Sequence, residues 1–141
     1  MKKILIVNAN YYQQISKRLV LSVKKKLLIK RFKVSIIDVP GIFEIPIAIR
    51  KNIKKYDGFI ALGCVIKGQT PHFDFICSST FNVLMYISVT FNKPVGNGII
   101  TALSLKQAYQ RSKIKISKKP NKGVEAANAV ISILKNEPKK V

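Results

Sequence analysis

The chain has 141 residues, with 26 Lys plus Arg against 6 Asp plus Glu, a formal net charge of +20 at pH 7. That length is one ordinary domain, residues 1–141, and 48% hydrophobic residues marks a globular chain rather than a disordered basic tail. Its two cysteines, Cys64 and Cys77, lack metal-ligand spacing, so zinc and disulfide scaffolds are excluded and buried thiols are expected.

Strand-like and helix-like segments alternate along the chain. The opening run Met-Lys-Lys-Ile-Leu-Ile-Val-Asn is too short in its apolar part for a secretory segment, which needs about seven residues, so a cytoplasmic chain is expected. Residues 3–7 predict the first strand, and 16–32 predict a helix with Leu19, Val20, Val23, Leu27 and Leu28 at helical spacing and Ser16 as its N-cap. Residues 34–39 read as a second strand, and 43–55 as a helix with lysines gathered at its end, where the dipole favours cations. A third strand spans 58–65. Thr70 and Pro71 then supply a cap and a first helical residue for a helix over 72–91. A fourth strand spans 94–101, and helices follow over 105–112 and 121–136. No apolar run approaches the ~18 residues of a membrane span, the longest being 59–66 and 83–91. Continuous apolar strands alternating with helices predict right-handed crossovers and an α/β, doubly wound four-stranded parallel sheet with helices on both faces. Ligands of such sheets sit at the carboxyl ends of the strands.

Three of the loops at those ends hold unusual residues. Asn8-Ala9-Asn10-Tyr11-Tyr12 places two tyrosines in a loop, either as a stacking face for a flat heterocycle or as simple loop packing. Val39-Pro40-Gly41-Ile42-Phe43-Glu44-Ile45-Pro46 offers a glycine for a tight turn or close ligand approach. It also places Glu44 beside a helix N-terminus, where a plain helix-end carboxylate would also stand. The third loop, from Gly63 to His72, runs through Gly68, Gln69 and Thr70 into a helix, whose first backbone N–H groups form an anion site. His72, the only histidine, falls in that same turn, where an imidazole suits general acid–base work.

The charge itself does not specify nucleic acid. Only Arg18, Arg31, Arg50 and Arg111 are arginines, and base readers and phosphate clamps favour the arginine fork over the point charge of lysine. The lysines are spread along the whole chain, and Lys, Ile and Asn enriched together is the composition that an A+T-rich genome gives. Small anionic substrates remain the favoured partners.

Four segments carry a family pattern in order and spacing: V-P-G-I-F-E-I-P at 39–46, A-L-G-C-V-I-K-G-Q-T-P-H-F-D at 61–74, P-V-G-N-G-I-I-T at 94–101 and N-K-G-V-E-A-A at 121–127. Over nearly its whole length the chain resembles the 6,7-dimethyl-8-ribityllumazine synthases. The resemblance implies a flavodoxin-like fold and condensation of 5-amino-6-(D-ribitylamino)uracil with 3,4-dihydroxy-2-butanone 4-phosphate. The products are 6,7-dimethyl-8-ribityllumazine, phosphate and water, in the penultimate step of riboflavin biosynthesis, with neither metal nor organic cofactor. It implies that Tyr11 stacks on the pyrimidine, that Ile42, Phe43 and Glu44 receive the ribityl chain and ring, and that Cys64, Val65 and Ile66 hold the uracil edge through their backbone. Gln69 and Thr70 are implied as the phosphate cradle, His72 as the proton-transfer residue, Arg111 as the phosphate clamp with Lys122 nearby, and Asn97 as a uracil contact.

The same resemblance implies a homo-oligomer, a pentamer with active sites between subunits, Asn97 and Arg111 coming from the neighbour. A functional link to riboflavin synthase follows, and neither specific nucleic acid nor a membrane is an expected partner. The chain departs from the pattern at Lys67 and Asn10, each in place of an arginine, and at Ile42, bulkier than the usual alanine. Its start almost at the first strand, and a long 112–120 connection, lean toward free pentamers or pentamer pairs rather than icosahedral shells. The alternatives are a basic nucleic-acid-binding α/β domain and an inactive assembly scaffold of the same family.

Overall fold

The computed structural model describes residues 1–114 and 121–141. In chain order these form β1 (Lys3–Ala9), α1 (Gln13–Ile29), β2 (Lys33–Val39), a 3-10 turn (Ile42–Glu44), α2 (Ile45–Lys51), β3 (Gly58–Ile66), α3 (His72–Phe91), β4 (Val95–Ala102), α4 (Leu105–Arg111) and α5 (Lys122–Lys135). All strand pairs are parallel and the sheet order is β2-β1-β3-β4. The α/β doubly wound sheet expected from the alternation is therefore present, with four strands.

Why the sheet is covered on both faces follows from side-chain alternation along each strand. Ile4 and Ile6 of β1, with Ile60 and Leu62 of β3, pack under α1 and α5 against Leu19, Leu27, Ala127 and Val130. Leu5 and Val7, with Phe59 and Ala61, face the other way and pack under α2 and α3 against Ile45, Ile49, Leu84 and Ile87. Fully burying each such side chain is worth about 1.5–3 kcal/mol against leaving it exposed, so both layers are needed. At Gly96 of β4 a Cβ would lie 2.6 Å from the Ala126 carbonyl oxygen, so the missing side chain lets α5 seat on the edge strand. Gly98 also faces Ala126, and by alternation Asn97 between them takes the opposite face.

Several boundaries differ from the sequence reading for identifiable reasons. Ser16 is not the cap of α1: the helix begins at Gln13, and the buried Ser16 hydroxyl donates to the Ala9 carbonyl oxygen at 2.9 Å, tying the first turn to the end of β1. Helix α2 is shorter than 43–55, because its first residues form the 3-10 turn and it stops at Lys51, where Asn52 donates its amide to the Ala48 carbonyl. Pro71 occupies the cap position of α3 rather than the first helical position, and no side chain caps that helix.

By length and composition α3 is apolar enough to cross a membrane, unlike the shorter runs read from the sequence. Uncharged Ser, Thr and Asn residues stand among its apolar ones, and one stripe (Cys77, Thr80, Leu84, Ile87) is buried against the sheet. Of the long 112–120 connection, residues 115–120 lie outside the described residues.

Candidate active site

The carboxyl ends of β1, β2 and β3 open onto one cavity of about 550 Å³. Its walls include Tyr11 and Tyr12 from the loop after β1, Gly41, Ile42 and Phe43 from the turn after β2, and Cys64, Val65 and Ile66 at the end of β3. His72 and Ile76, one helical turn apart on α3, complete it. Thus seven residues singled out from the sequence, Tyr11, Ile42, Phe43, Cys64, Val65, Ile66 and His72, come together in one place. A second hollow of about 460 Å³, between α1 and the edge strand β2, is lined by other residues, among them Asn8, Lys17, Lys24 and Asp38.

Local backbone geometry explains how the walls are held. Glu44 does not line the cavity; its carboxylate accepts the Gly41 N–H at 3.0 Å while the Glu44 N–H donates to the Gly41 carbonyl at 3.2 Å. That reciprocal pair fixes the turn presenting Ile42 and Phe43. A Cβ on Gly41 would sit 3.2 Å from the Glu44 carboxylate oxygen, so a larger residue there would press on the carboxylate that closes the turn. Ile42 is buried, and its Cγ2 lies 3.0 Å from where a Gly63 Cβ would be, so the absent Gly63 side chain leaves room for part of its bulk while the residue still lines the cavity. Tyr11 is 75% exposed and meets Tyr12 edge-to-face, with ring centroids 5.0 Å apart and planes at 74°.

Cys64 is only 7% exposed, and burial pushes its thiol up to about 11. It is a neutral thiol near pH 7, which suits a wall and a backbone anchor and not a nucleophile. His72 is exposed at the start of α3. Gln69 and Thr70 are exposed in the loop just before it and do not line the cavity; β3 and β4 hold that loop's base through the Lys67 N–H, which donates to the Ala102 carbonyl at 2.9 Å. The amides of Gly68, Gln69 and Thr70 make no backbone hydrogen bond among the described residues.

Three expected site residues stand elsewhere in the chain. Arg111 ends α4 and Lys122 begins α5, and both approach the Glu125 carboxylate, at 3.9 and 3.6 Å. This makes a partly exposed cluster of two cations and one anion, a reasonable receiver for a phosphate. Among the described residues, the Arg111 Nε is buried without a hydrogen-bond partner. Asn97 pairs with Ala61 while Ala102 pairs with Ile66, so Asn97 lies on the order of 16 Å along β4 from the cavity end of the sheet. Its side-chain oxygen accepts the Ile99 N–H at 3.1 Å. Tyr12 and Gly41, noted in the sequence as loop candidates without an assigned role, line the cavity; Ile76 was not singled out, and a spacing of four from His72 was the signal available.

A family model described as 6,7-dimethyl-8-ribityllumazine synthase matches residues 1–137. Relatives of that name include a Campylobacter jejuni protein, 40% identical over 137 residues that cover 94% of this chain and 87% of the relative. A Campylobacter lari protein is 39% identical over 138 residues, covering 94% and 86%, and a Methylorubrum populi protein is 37% identical over 139 residues, covering 94% and 80%.

Proposed function

The chain belongs to the 6,7-dimethyl-8-ribityllumazine synthase family, and we propose that it performs that family's condensation in a site completed by a neighbouring copy of itself. It is a transferase of riboflavin biosynthesis, joining 5-amino-6-(D-ribitylamino)uracil to 3,4-dihydroxy-2-butanone 4-phosphate with loss of phosphate and water. The observation that carries the reading is the convergence of Tyr11, Ile42, Phe43, Cys64, Val65, Ile66 and His72 on one cavity at the strand ends.

Residues 1–141 act as one catalytic domain. The pyrimidine ring stacks on Tyr11, and the strand-end backbone at Cys64, Val65 and Ile66 holds its edge. The ribityl chain runs toward Ile42 and Phe43, with Glu44 shaping their turn. The amine of the uracil attacks the ketone, and His72 moves protons as the imine forms and phosphate departs. Gln69 and Thr70 cradle the phosphate, and Arg111 with Lys122 clamps it. These steps are proton transfers between bound partners, so holding both substrates in register supplies much of the rate.

Two observations support a shared site and a homo-oligomer, read here as a pentamer. Asn97, Arg111 and Lys122 do not line the cavity of their own chain. Helix α3 also leaves Phe75, Val83, Met85, Tyr86 and Val89 exposed, an apolar face that a second copy would cover. Asn97, Arg111 and Lys122 then serve the neighbour's cavity. The enzyme works in the cytoplasm and hands its product to riboflavin synthase. A nucleic-acid role is not favoured, since none of the residues lining the cavity is a lysine or arginine. Incubation with both substrates tests the reading: lumazine absorbance and released phosphate should rise together.

A further inference from the structure

Among the side chains lining the cavity, only Tyr11, Tyr12, Cys64 and His72 carry a polar atom. Tyr11 and His72 are exposed, and Cys64 is a buried weak donor. The strand-end backbone at Cys64, Val65 and Ile66 can hold one edge of a flat heterocycle, and a second polar edge calls for a side-chain partner. Tyr12 is the one hydroxyl-bearing residue that is partly buried there.

The backbone holds Tyr12 firmly. It is the cap residue of α1, and its carbonyl accepts the Ser16 N–H at 2.9 Å, while the Ser16 hydroxyl reaches back to Ala9 at 2.9 Å. These two bonds pin both ends of the segment. The ring packs inward on the core shared by Cys64 and Ala108, whereas Tyr11 beside it turns outward. Among the described residues the Tyr12 hydroxyl makes no hydrogen bond; Tyr109, by contrast, donates its hydroxyl to Gln14 at 2.9 Å. Burial, then the neighbouring Cys64 and Tyr11, raises the pKa of Tyr12. The phenol is therefore neutral and able both to donate and to accept.

We propose that Tyr12 is a specificity-determining residue of this cavity, its hydroxyl hydrogen-bonding the polar edge of the pyrimidine substrate while its ring braces Tyr11 edge-to-face. This rests on the function proposed above and adds a substrate contact to it. The hydroxyl has no protein partner among the described residues, and the carbonyl and N–H edge of the pyrimidine offers it one that the phosphate-bearing ketone does not match.

The test is steady-state kinetics of Tyr12→Phe beside the unaltered protein, with each substrate varied in turn and thermal unfolding followed in parallel. The substitution keeps the ring and removes one neutral hydrogen bond. It should raise KM for 5-amino-6-(D-ribitylamino)uracil roughly three- to tenfold. KM for 3,4-dihydroxy-2-butanone 4-phosphate and the unfolding temperature should not move. An active unaltered protein with an unchanged uracil KM in the variant overturns the role of Tyr12 alone. Equal rises in both KM values, or a lowered unfolding temperature, overturn it too, because the effect is then structural. An unaltered protein without turnover overturns the proposed function, and this contact with it.

Discussion

The Arg111 guanidinium lies 3.9 Å from the Glu125 carboxylate, where the end of α4 meets the start of α5. Both side chains are more than a third exposed, so this pair is worth little to the fold, about 1 kcal/mol or less. Its value is in placing a cation beside Lys122, which reaches the same carboxylate at 3.6 Å. Arg111→Ala should therefore raise KM for the phosphate-bearing substrate several-fold and more than that for the uracil, with the unfolding temperature nearly unchanged. Initial rates with each substrate varied, beside a thermal melt, check this; an unchanged phosphate-substrate KM removes Arg111 from the clamp.

His72 stands at the cavity rim on the first residue of α3. Its replacement by alanine should slow turnover at saturating substrates by on the order of 100-fold while substrate binding changes little. Undiminished kcat would take the proton-transfer role away from it.

The exposed apolar face of α3 gives a prediction about assembly. Val89→Lys places a charge on the face proposed to be covered by a second copy, without touching the buried stripe of Cys77, Thr80, Leu84 and Ile87. Sedimentation should show the assembly dissociated, with activity lost in proportion. A monomer that turns over at the assembled rate would show that the cavity is complete in one chain.

Cys64 supplies a pH prediction. Its folded-state thiol is held at about 11 by burial, above the ordinary value of 9.0, so the fold binds that proton more tightly than the unfolded chain does. The contribution is fully present below about pH 9, and stability should fall as pH rises from there through about 11. Alkylation of Cys64 near pH 7, followed by mass spectrometry, should be slow in the folded protein and rapid in denaturant. Fast labelling of the folded chain would contradict the burial argument.

Gly96→Ala tests the seating of α5 on the sheet. The added Cβ meets the Ala126 carbonyl at 2.6 Å and the Val130 Cγ2 at 2.9 Å, backbone and packed side chain rather than a loose end. Overpacking of this kind costs about 1–3 kcal/mol, read as a lower midpoint in chemical denaturation.

Much of this fold was legible because its strands are buried on both faces. Ile4 to Val7 is apolar throughout since α1 and α5 cover one side and α2 and α3 the other. Helix starts were less legible. Ser16 has the right chemistry for a cap, but its hydroxyl is used by the Ala9 carbonyl, a partner distant in any helical pattern. In the site, Gly41 and Glu44 each stood out in the sequence, yet their pairing, with the carboxylate spent on the turn, is seen only in the fold. Asn97 sits in a motif as clear as that of His72, but strand register places it well away from the cavity. Motif order does not encode which end of a strand, or which copy of the chain, a residue serves.

The most direct test of the account is product formation by the purified, assembled protein. With 5-amino-6-(D-ribitylamino)uracil and 3,4-dihydroxy-2-butanone 4-phosphate both present, lumazine absorbance should appear with an equal amount of inorganic phosphate, without added metal or cofactor. An assembled protein that releases neither would contradict it.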